Sequence, residues 1–298
     1  MSVFVIVNPA AGRGRREGRI ASLRALLERA LPDRREVFTT GPGQEADLVD
    51  HALTEGYDTI VAIGGDGTWS LVADRILRSG QRDVRLGLLP AGTGNDFGKS
   101  LGITSDRSEH VVRAIVERRT RRVDVGRAGG RYFLNVVGAG FDIAVIDDAA
   151  GLPFLHGDAL YRASALRQLF RFSGLPLEIH ANSCRPLVLD HLMLVVANAN
   201  YFGGSFHIAP RARLDDGRLD AVSIANGGAF ERARLFSLVG RGRHEGHPKV
   251  IIQQASRLEV RSEPGWRYEM DGEVYTCEGG RLEIESVPAA LEIFVPEF

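Results

Sequence analysis

Three short segments of the sequence combine small residues with side chains that suit phosphate chemistry. They are NPAAGRG (8–14), GGDGT (64–68) and AGTGND (91–96), and each follows an apolar run. Glycines let the backbone approach a phosphate closely, and the helix after such a loop directs its positive end at the anion. Asp66 suits this setting if Mg²⁺ lies between its carboxylate and the phosphates. The segments therefore predict a magnesium–phosphate site, although a tight turn in which Asp66 caps the next helix would also explain GGDGT alone.

The segment GNDFGKS (94–100) has the ending of a nucleotide-binding phosphate loop but not its spacing. That pattern requires a glycine and four further residues before Gly-Lys-Ser/Thr. Here Thr93 occupies the glycine position, so we predict that Lys99 and Ser100 belong to the following helix. The residues predicted to face a phosphate are Gly92, Thr93, Gly94 and Asn95.

Alternating strand and helix patterns position these loops within the first 124 residues. Continuous apolar runs at 3–7, 59–63 and 85–89 are typical of strands that are buried on both faces of a parallel sheet. Helical patterns lie between the runs, at 17–31, 44–56 and 70–80. This order predicts a doubly wound α/β domain whose loops meet at the carboxyl edge of the sheet, where such folds bind ligands.

The pattern changes to short β-rich runs after residue 124, with helical patterns at 158–172 and 230–241. Many short strands that are separated by Gly, Asn and Pro predict a β-sandwich or barrel. We therefore predict a nucleotide-binding domain over residues 1–124, to which residues 289–298 return, and a β-sandwich acceptor domain over residues 125–288. The β-rich runs are 131–137, 177–181, 186–199, 218–225, 256–262, 266–275, 281–287 and 290–296.

The composition argues against several classes of protein. A formal charge of −1 predicts no general affinity for nucleic acid, and 44% hydrophobic with 25% charged residues is typical of a soluble globular protein. Cys184 and Cys277 are too far apart in sequence to suggest a disulfide framework or a zinc site. No apolar run approaches the roughly 18 residues of a membrane span. We predict a cytoplasmic protein without a nucleic-acid partner; whether it forms a homodimer is left open.

The motifs, taken in order, resemble a known family. GGDGT followed by PAGTGNDFGKSLGI (90–103), then NVVGAGFDIAV (135–145), YFGGSFHIAPRARLDDGRLD (201–220) and MDGEVY (270–275), is similar to the diacylglycerol kinase and sphingosine kinase superfamily, especially its short bacterial lipid kinases. The likeness covers essentially the whole chain. It implies a first domain like that of NAD kinase and phosphofructokinase. It also implies an enzyme that uses ATP and Mg²⁺ to phosphorylate a lipid hydroxyl, with a diacylglycerol-like lipid as the expected acceptor.

The resemblance implies nucleotide contacts on the three loops and at Thr40, for which an ordinary turn threonine is the alternative. Asp96 and Asp124 are implied members of a Mg²⁺–water network. The alternatives are a helix cap for Asp96 and a salt bridge to Arg121 or Arg122 for Asp124. The implied nucleotide-binding residues are Asn8, Thr40, Gly64, Gly65, Asp66, Gly67, Thr68, Ser70, Gly92, Thr93 and Asn95.

This chain departs from the family at one point beside the nucleotide. Family members usually carry Asn and Glu where this chain has Ser70 and Leu71. The change removes an amide and a carboxylate, so altered nucleotide affinity, altered nucleotide choice and reduced activity are all open.

The segment MDGE carries the chemistry of the acceptor side. Phosphoryl transfer needs aligned reactants, screened phosphate charge and a group that takes the proton of the attacking hydroxyl. The resemblance implies that Glu273 is this base and that Asp66 is also catalytic. Asp271 is predicted to lie on the same strand face as Glu273, to orient it or help bind metal. For these residues alone, a hairpin turn with exposed carboxylates is the alternative.

A structural Mg²⁺ is also implied, at the Asp216 side chain and the carbonyls of Arg213 and Arg218. We predict that this stretch, RARLDDGRLD, is a hairpin with residues 215–217 as its turn. A turn without a bound ion is the alternative.

The acceptor side also contains a basic amphipathic pattern, at 158–172. It places Leu166, Leu169 and Phe170 on one face and is flanked by arginines. Such a helix can make transient contact with a membrane surface, and a helix packed on the sandwich is the alternative. The flanking arginines are Arg162, Arg167 and Arg171.

Two further functions are left open. One is an NAD kinase-like enzyme with a soluble acceptor, and the other is a nucleotide-binding regulator that has lost catalysis, which Ser70 and Leu71 would favour.

Overall fold

A computed structural model of the chain describes residues 2–14, 17–150, 158–182, 185–204 and 206–297. Cys184 and the side chain of Arg162 lie outside the described residues and side chains. None of the described helices is long and apolar enough to cross a membrane.

The first part of the chain forms a parallel sheet between helices, as predicted. The strands are β1 (Val3–Val7), β2 (Arg35–Phe38), β3 (Thr59–Gly64) and β4 (Arg85–Pro90). They pair in the order β4-β3-β1-β2, so their carboxyl ends lie at one edge. The helices are α1 (Glu17–Ala30), α2 (Glu45–Thr54), α3 (Asp66–Arg78), α4 (Asp96–Ser100) and α5 (Ser108–Val116).

The second part of the chain is dominated by antiparallel strands. Among the described residues, three helices interrupt them: α6 (Phe141–Ala150), α7 (Asp158–Arg171) and α8 (Ala229–Gly240). The strands that precede α8 are β5 (Thr120–Ala128), β6 (Arg131–Phe133), β7 (Val136–Gly140), β8 (Leu175–Ala181), β9 (Leu187–Ala197) and β10 (Leu219–Ala225). The later strands are β11 (Val250–Ala255), β12 (Arg257–Arg261), β13 (Trp266–Met270), β14 (Glu273–Cys277) and β15 (Arg281–Phe294).

Strand β15 joins the two parts of the molecule. The two runs predicted at 281–287 and 290–296 form this one strand, with an irregular register between Val287 and Leu291. It pairs antiparallel with β5 and β12, and near its end Glu292 and Ile293 pair in parallel with β4. The parallel and antiparallel parts are therefore hydrogen-bonded into one continuous sheet.

Two local predictions fail. The stretch RARLDDGRLD is not a hairpin, because residues 211–218 form turns that lead into β10, and the strand before them, β9, already ends at Ala197. Residues 266–275 do form a hairpin, but Asp271 and Gly272 are its turn, with φ of 49° and 92°. Asp271 therefore does not share a strand face with Glu273. The helices α5 and α6 and the strands β5 and β11 were not predicted.

Candidate active site

The three small-residue loops meet at the carboxyl edge of the parallel sheet. The Asn8 side-chain amide donates to Thr68 Oγ1 at 2.9 Å, which ties the first loop to GGDGT. The carbonyl of Gly64 accepts the N–H groups of Ala91 at 2.7 Å and Gly92 at 3.1 Å. A Cβ on Gly92 would lie 2.5 Å from Gly65 Cα, so glycine is required for this approach.

Asp66 is the first residue of α3, and its side chain reaches the neighbouring loop. Its Oδ1 accepts the N–H of Phe97 at 3.1 Å, so it caps α4 rather than its own helix. Burial raises the pKa of Asp66, the N–H of Phe97 opposes this rise, and the charge of Asp96 adds to it.

Asp96 and Lys99 attach the second part of the chain to this loop. Asp96 accepts Lys99 Nζ at 2.7 Å and the N–H of Gly204 at 2.6 Å. Lys99 Nζ also donates to the carbonyl of Gly204 at 2.6 Å, and Ser100 Oγ accepts the N–H of Asn200. Lys99 and Ser100 belong to α4 as predicted, but they also fix the 200–204 segment against the nucleotide loops.

A cavity of about 370 Å³, called the cleft below, opens between the two parts of the molecule. Asp66, Thr93 and Asp96 line one wall. Asn135, Glu269 and Asp271 line the other. Four carboxyl groups thus face the same space, which suits a cation-bound phosphate better than a bare anion.

Asp271 is held by four hydrogen-bond donors. Its Oδ1 accepts the N–H groups of Asn135 at 2.9 Å and Val136 at 3.1 Å, and its Oδ2 accepts the N–H of Leu134 at 2.7 Å. The Ser70 hydroxyl of α3 donates to Oδ2 at 2.8 Å, between the two parts of the molecule. Burial raises the pKa of Asp271, although all four donors act in the opposite direction. Its oxygens are therefore committed to the protein, which suits a positioning role.

Glu273 lies at the start of β14 with an exposed side chain. It does not line the cleft; it lines a smaller cavity together with Gly67, Ser70 and Leu71 of α3. Its assignment as the base stays a prediction.

Two other acids, Glu269 and Asp142, face each other and are called the acid pair below. Glu269 lies opposite Gly138 in the pairing of β13 with β7, and Asp142 follows β7 in the first turn of α6. A Cβ on Gly138 would lie 2.6 Å from Asp142 Oδ2 and 2.8 Å from Glu269 Oε1. Glu269 Oε2 accepts the N–H of Gly272 at 2.7 Å. Among the described residues, Glu269 Oε1 and both Asp142 oxygens are buried and have no hydrogen-bond partner.

The environment of the acid pair disfavours charge. Burial raises the pKa of Asp142 to about 6. The N–H groups of Ile143 and Asp142, which lie near this carboxyl group without hydrogen-bond geometry, oppose the rise. Burial also raises the pKa of Glu269 well above its usual range, and the charge of Asp142 raises it further.

Other predicted residues lie outside the cleft. Thr40 is exposed, and its hydroxyl donates to Gln44 Oε1 at 3.1 Å. The Asn95 amide donates to the carbonyl of Gly92 at 3.0 Å, and the residue adopts a left-handed conformation with φ of 53°.

Asp124 is an anchor between three segments. Its oxygens accept the N–H groups of Gly217 at 2.6 Å and Ala289 at 2.8 Å. The alternative of a salt bridge to Arg121 or Arg122 is wrong, because Arg121 pairs with Asp215 and Arg122 with Glu292.

The predicted structural ion site lies beside this anchor. Asp216 accepts the N–H of Arg218 at 3.0 Å, within the turn that Asp124 holds through Gly217. The ion itself, with the carbonyls of Arg213 and Arg218, stays a prediction.

The cleft acids fit Mg²⁺ in combination with a nucleotide. In the described parts of the chain, no group of three or more His, Cys, Asp or Glu side chains is placed to hold a metal ion. Mg²⁺ is usually bound by one or two carboxylates together with phosphate oxygens and water. Asp66 and Asp96 can supply the carboxylates, and a cation between them would relieve the repulsion that contributes to the raised pKa of Asp66.

Sequence reasoning missed the acid pair and Asn135. One signal was available: Asp142 is a carboxylate within the apolar run NVVGAGFDIAV, where a buried or functional role is expected. No comparable signal marks Glu269, because alternation along β13 does not reveal which strand lies beside it.

Two family models match this chain in succession. "Diacylglycerol kinase catalytic domain" matches residues 2–128, and "YegS C-terminal NAD kinase beta sandwich-like domain" matches residues 135–295, more than half of the chain. The chain therefore belongs to the diacylglycerol kinase family, in the branch with a YegS-type C-terminal domain. It is a lipid kinase, as its motifs predicted, and this membership implies ATP as its phosphoryl donor.

Two relatives agree with this assignment, and a solved structure shares the fold. A diacylglycerol kinase of Staphylococcus haemolyticus is 29% identical over 279 residues, which are 93% of this chain and 82% of the relative. A diacylglycerol kinase of Staphylococcus aureus is 27% identical over 295 residues, 98% of this chain and 91% of the relative. The crystal structure of a diacylglycerol kinase from Bacillus anthracis has a TM-score of 0.75 at 22% identity, covering 99% of this chain and 96% of that one. At that identity the likeness shows the fold, which confirms the predicted two-part architecture.

Proposed function

We propose that the protein transfers the γ-phosphoryl group of ATP, with Mg²⁺, to the hydroxyl of a diacylglycerol-like lipid. The observation that carries this proposal is the cleft, where Asp66 and Thr93 face Glu269 and Asp271 across one cavity. A nucleotide held by the small-residue loops would present its terminal phosphate to this cavity, and the acceptor would approach from the β-rich side.

The proposed roles follow from chemistry that phosphoryl transfer requires. The N–H groups of the 92–95 loop and the start of α3 would bind phosphate oxygens, and Asp66 would bind the Mg²⁺ that screens their charge. The acceptor proton needs a base within hydrogen-bond reach. Glu273 is the predicted base. It lines the neighbouring cavity with Gly67 and Ser70, one residue beyond Gly272, which lines the cleft. Asp271 would hold Asn135 and Val136, which line the cleft, in place through their N–H groups.

A membrane contact through α7 and α8 is part of the proposal. Leu166 and Phe170 are 60% and 69% exposed on α7, and Phe230 is 92% exposed at the start of α8. Arg232 fixes the two helices together, because it donates to the carbonyls of Leu169 at 2.8 Å and Phe172 at 2.6 Å. Exposed apolar side chains beside Arg167 and Arg171 suit the surface of an anionic bilayer.

The test is incubation with γ-labelled ATP, Mg²⁺ and vesicles of a total lipid extract. The wild type is expected to transfer label to a lipid. A positioned base is typically worth about 10² to 10⁴ in rate, so Glu273→Gln should lower the rate by that factor. Equal labelling by both proteins would remove Glu273 from the mechanism. In the same assay, Phe230→Ser should slow transfer to lipid in vesicles more than transfer to lipid in detergent micelles.

Two results would contradict the proposal. Labelling of NAD and of no lipid would favour the NAD kinase-like alternative. Tight ATP binding without transfer to any lipid would favour a regulator that has lost catalysis.

A further inference from the structure

The hydroxyl of Ser70 joins the two parts of the molecule at the point where this chain departs from its family. A serine inside a helix often donates to the carbonyl group four residues earlier. The Ser70 hydroxyl instead donates to Asp271 Oδ2 at 2.8 Å, across 201 residues of sequence. Ser70 thus contacts the acceptor side, although the family resemblance implies a nucleotide contact at this position.

On the nucleotide side, Ser70 lies close to the residue proposed to bind Mg²⁺. It follows Asp66 by four residues in α3, so the two side chains lie one turn apart on the same helix face. Asp66 lines the cleft, Ser70 lines the smaller cavity beside it, and Asp271 lines both. The hydrogen bond from Ser70 to Asp271 therefore lies where the two cavities meet.

On the acceptor side, the bond reaches the turn that carries Glu273. Asp271 and Gly272 form this turn with φ of 49° and 92°, and β14 begins at Glu273. In the described part of the chain, no hydrogen bond or ion pair holds the Glu273 carboxylate itself. The position of this carboxylate therefore depends on how the turn is held.

Three of the four donors to Asp271 leave its distance from the nucleotide side unset. They are backbone N–H groups of the acceptor side, at Leu134, Asn135 and Val136. The fourth donor, the Ser70 hydroxyl, comes from the nucleotide side. Without this hydroxyl the turn keeps its three backbone hydrogen bonds, but its direct bond to α3 is lost.

Other contacts keep the two parts of the molecule docked when the Ser70 bond is removed. The N–H of Tyr132 in β6 donates to Asp74 of α3 at 2.9 Å, and β15 pairs with β4. Loss of the Ser70 hydroxyl should therefore move the turn locally and leave the α/β and β-rich parts together.

We propose that Ser70 is a positioning residue for phosphoryl transfer: its hydroxyl holds the β13–β14 turn against α3 and thereby sets the place of Glu273 relative to the phosphate site at Asp66. This inference rests on the proposed function. A base acts only within hydrogen-bond reach of the proton that it takes, and a misplacement of about 1 Å can cost about 10² in rate. Ser70 therefore acts on the rate of transfer, through Asp271, rather than on the binding of ATP.

The experiment measures kcat and KM with γ-labelled ATP, Mg²⁺ and 1,2-dioleoylglycerol in detergent micelles. Ser70→Ala should lower kcat by about tenfold, because the base is misplaced, and should leave the KM values of ATP and lipid within about twofold of the wild type. Ser70→Thr keeps the hydroxyl and should retain kcat to within about threefold. An unchanged kcat in Ser70→Ala would overturn the inference, and a raised KM of ATP beside it would assign Ser70 to the nucleotide instead.

Thr120→Val is the matched control. The Thr120 hydroxyl also donates to a carboxylate far away in sequence, Glu292 Oε1 at 2.6 Å, and neither residue lines the cleft or the smaller cavity. Valine keeps the shape of the side chain and removes the hydroxyl, so this variant should keep the wild-type kcat. An equal fall of kcat in Thr120→Val and Ser70→Ala would assign the loss to general destabilisation and overturn the inference.

A double variant tests whether Ser70 acts through Glu273. In a Glu273→Gln background there is no base to position, so Ser70→Ala should lower kcat by less than about a further twofold. A further loss of about tenfold would show that Ser70 acts independently of Glu273, and the inference would then fail.

The same measurements separate this inference from the proposed function. A wild type that labels neither dioleoylglycerol nor any lipid of a total extract would overturn the proposed function, and this inference with it. If another lipid of the extract takes the label, that lipid replaces dioleoylglycerol in the measurement. A wild-type rate in Glu273→Gln would remove Glu273 as the base and overturn this inference, while lipid phosphorylation itself would stand.

Discussion

Two carboxyl-bearing regions lie at the acceptor side of the cleft, which Asp271 and Glu269 line, and differ in their hydrogen bonding. Asp271, in the β13–β14 turn, receives four donors from Ser70 and the 134–136 segment. The acid pair of Asp142 and Glu269 receives one, from Gly272. A carboxylate with all its hydrogen bonds made thus holds a wall together, whereas acids with unmade bonds lie where burial disfavours their charged form.

The largest expected effect is a loss of stability in Asp271→Asn, where the carboxylate has all its hydrogen bonds. An amide keeps one acceptor oxygen and turns its NH₂ group towards backbone N–H donors, so several bonds are lost. Asn tolerates the positive φ of this turn, so the backbone adds little to the cost. We expect the free energy of unfolding, measured in urea, to fall by about 2–4 kcal/mol.

Glu273→Gln is the matched control for this prediction. Glu273 is exposed two residues further along the hairpin, so its substitution should change the free energy of unfolding by less than about 0.5 kcal/mol. Similar small changes in both variants would show that the four hydrogen bonds to Asp271 carry little stability.

The next largest effect is expected in the acid pair. There, Asp142→Asn should change the free energy of unfolding in a way that depends on pH. Burial raises the pKa of Asp142 to about 6 in the folded protein. The folded state then binds more protons than the unfolded state, so this group's contribution to stability falls as pH rises from about 4 to about 6. The variant should be more stable than the wild type by about 1–3 kcal/mol at about pH 8.

This advantage should shrink towards zero below about pH 3, where the carboxyl group is protonated in both states. Urea unfolding of both proteins across this range measures the difference. A constant difference at every pH would assign the effect to shape rather than to charge.

The smallest effect is expected from Ser70→Ala, which removes one of the four donors to Asp271. The free energy of unfolding should fall by about 1 kcal/mol. A double-mutant cycle with Asp271→Asn should give a coupling of about 0.5–1.5 kcal/mol. Ser22→Ala, at an exposed position of α1, is the control and should show no loss, since alanine favours helix. Additive effects of Ser70→Ala and Asp271→Asn would mean that the hydrogen bond between these two side chains contributes nothing measurable.

The nucleotide side was predictable because its signals are local. Apolar runs and glycine loops follow one another within about 100 residues, and parallel strands necessarily bring their carboxyl ends to one edge. The sequence alone therefore determined the α/β class, the meeting of the three loops and the place of Asp66 in the resulting site.

The acceptor side was decided by tertiary structure. Pairing of β13 with β7 brings Glu269 against Gly138 and Asp142, and the turn places Asp271 beside Ser70, which lies 201 residues away in sequence. The period of a strand tells which residues share a face but not which strand lies beside it. Whether a carboxylate finds donors or remains unpaired depends on that neighbour, so only the folded chain separates Asp271 from the acid pair.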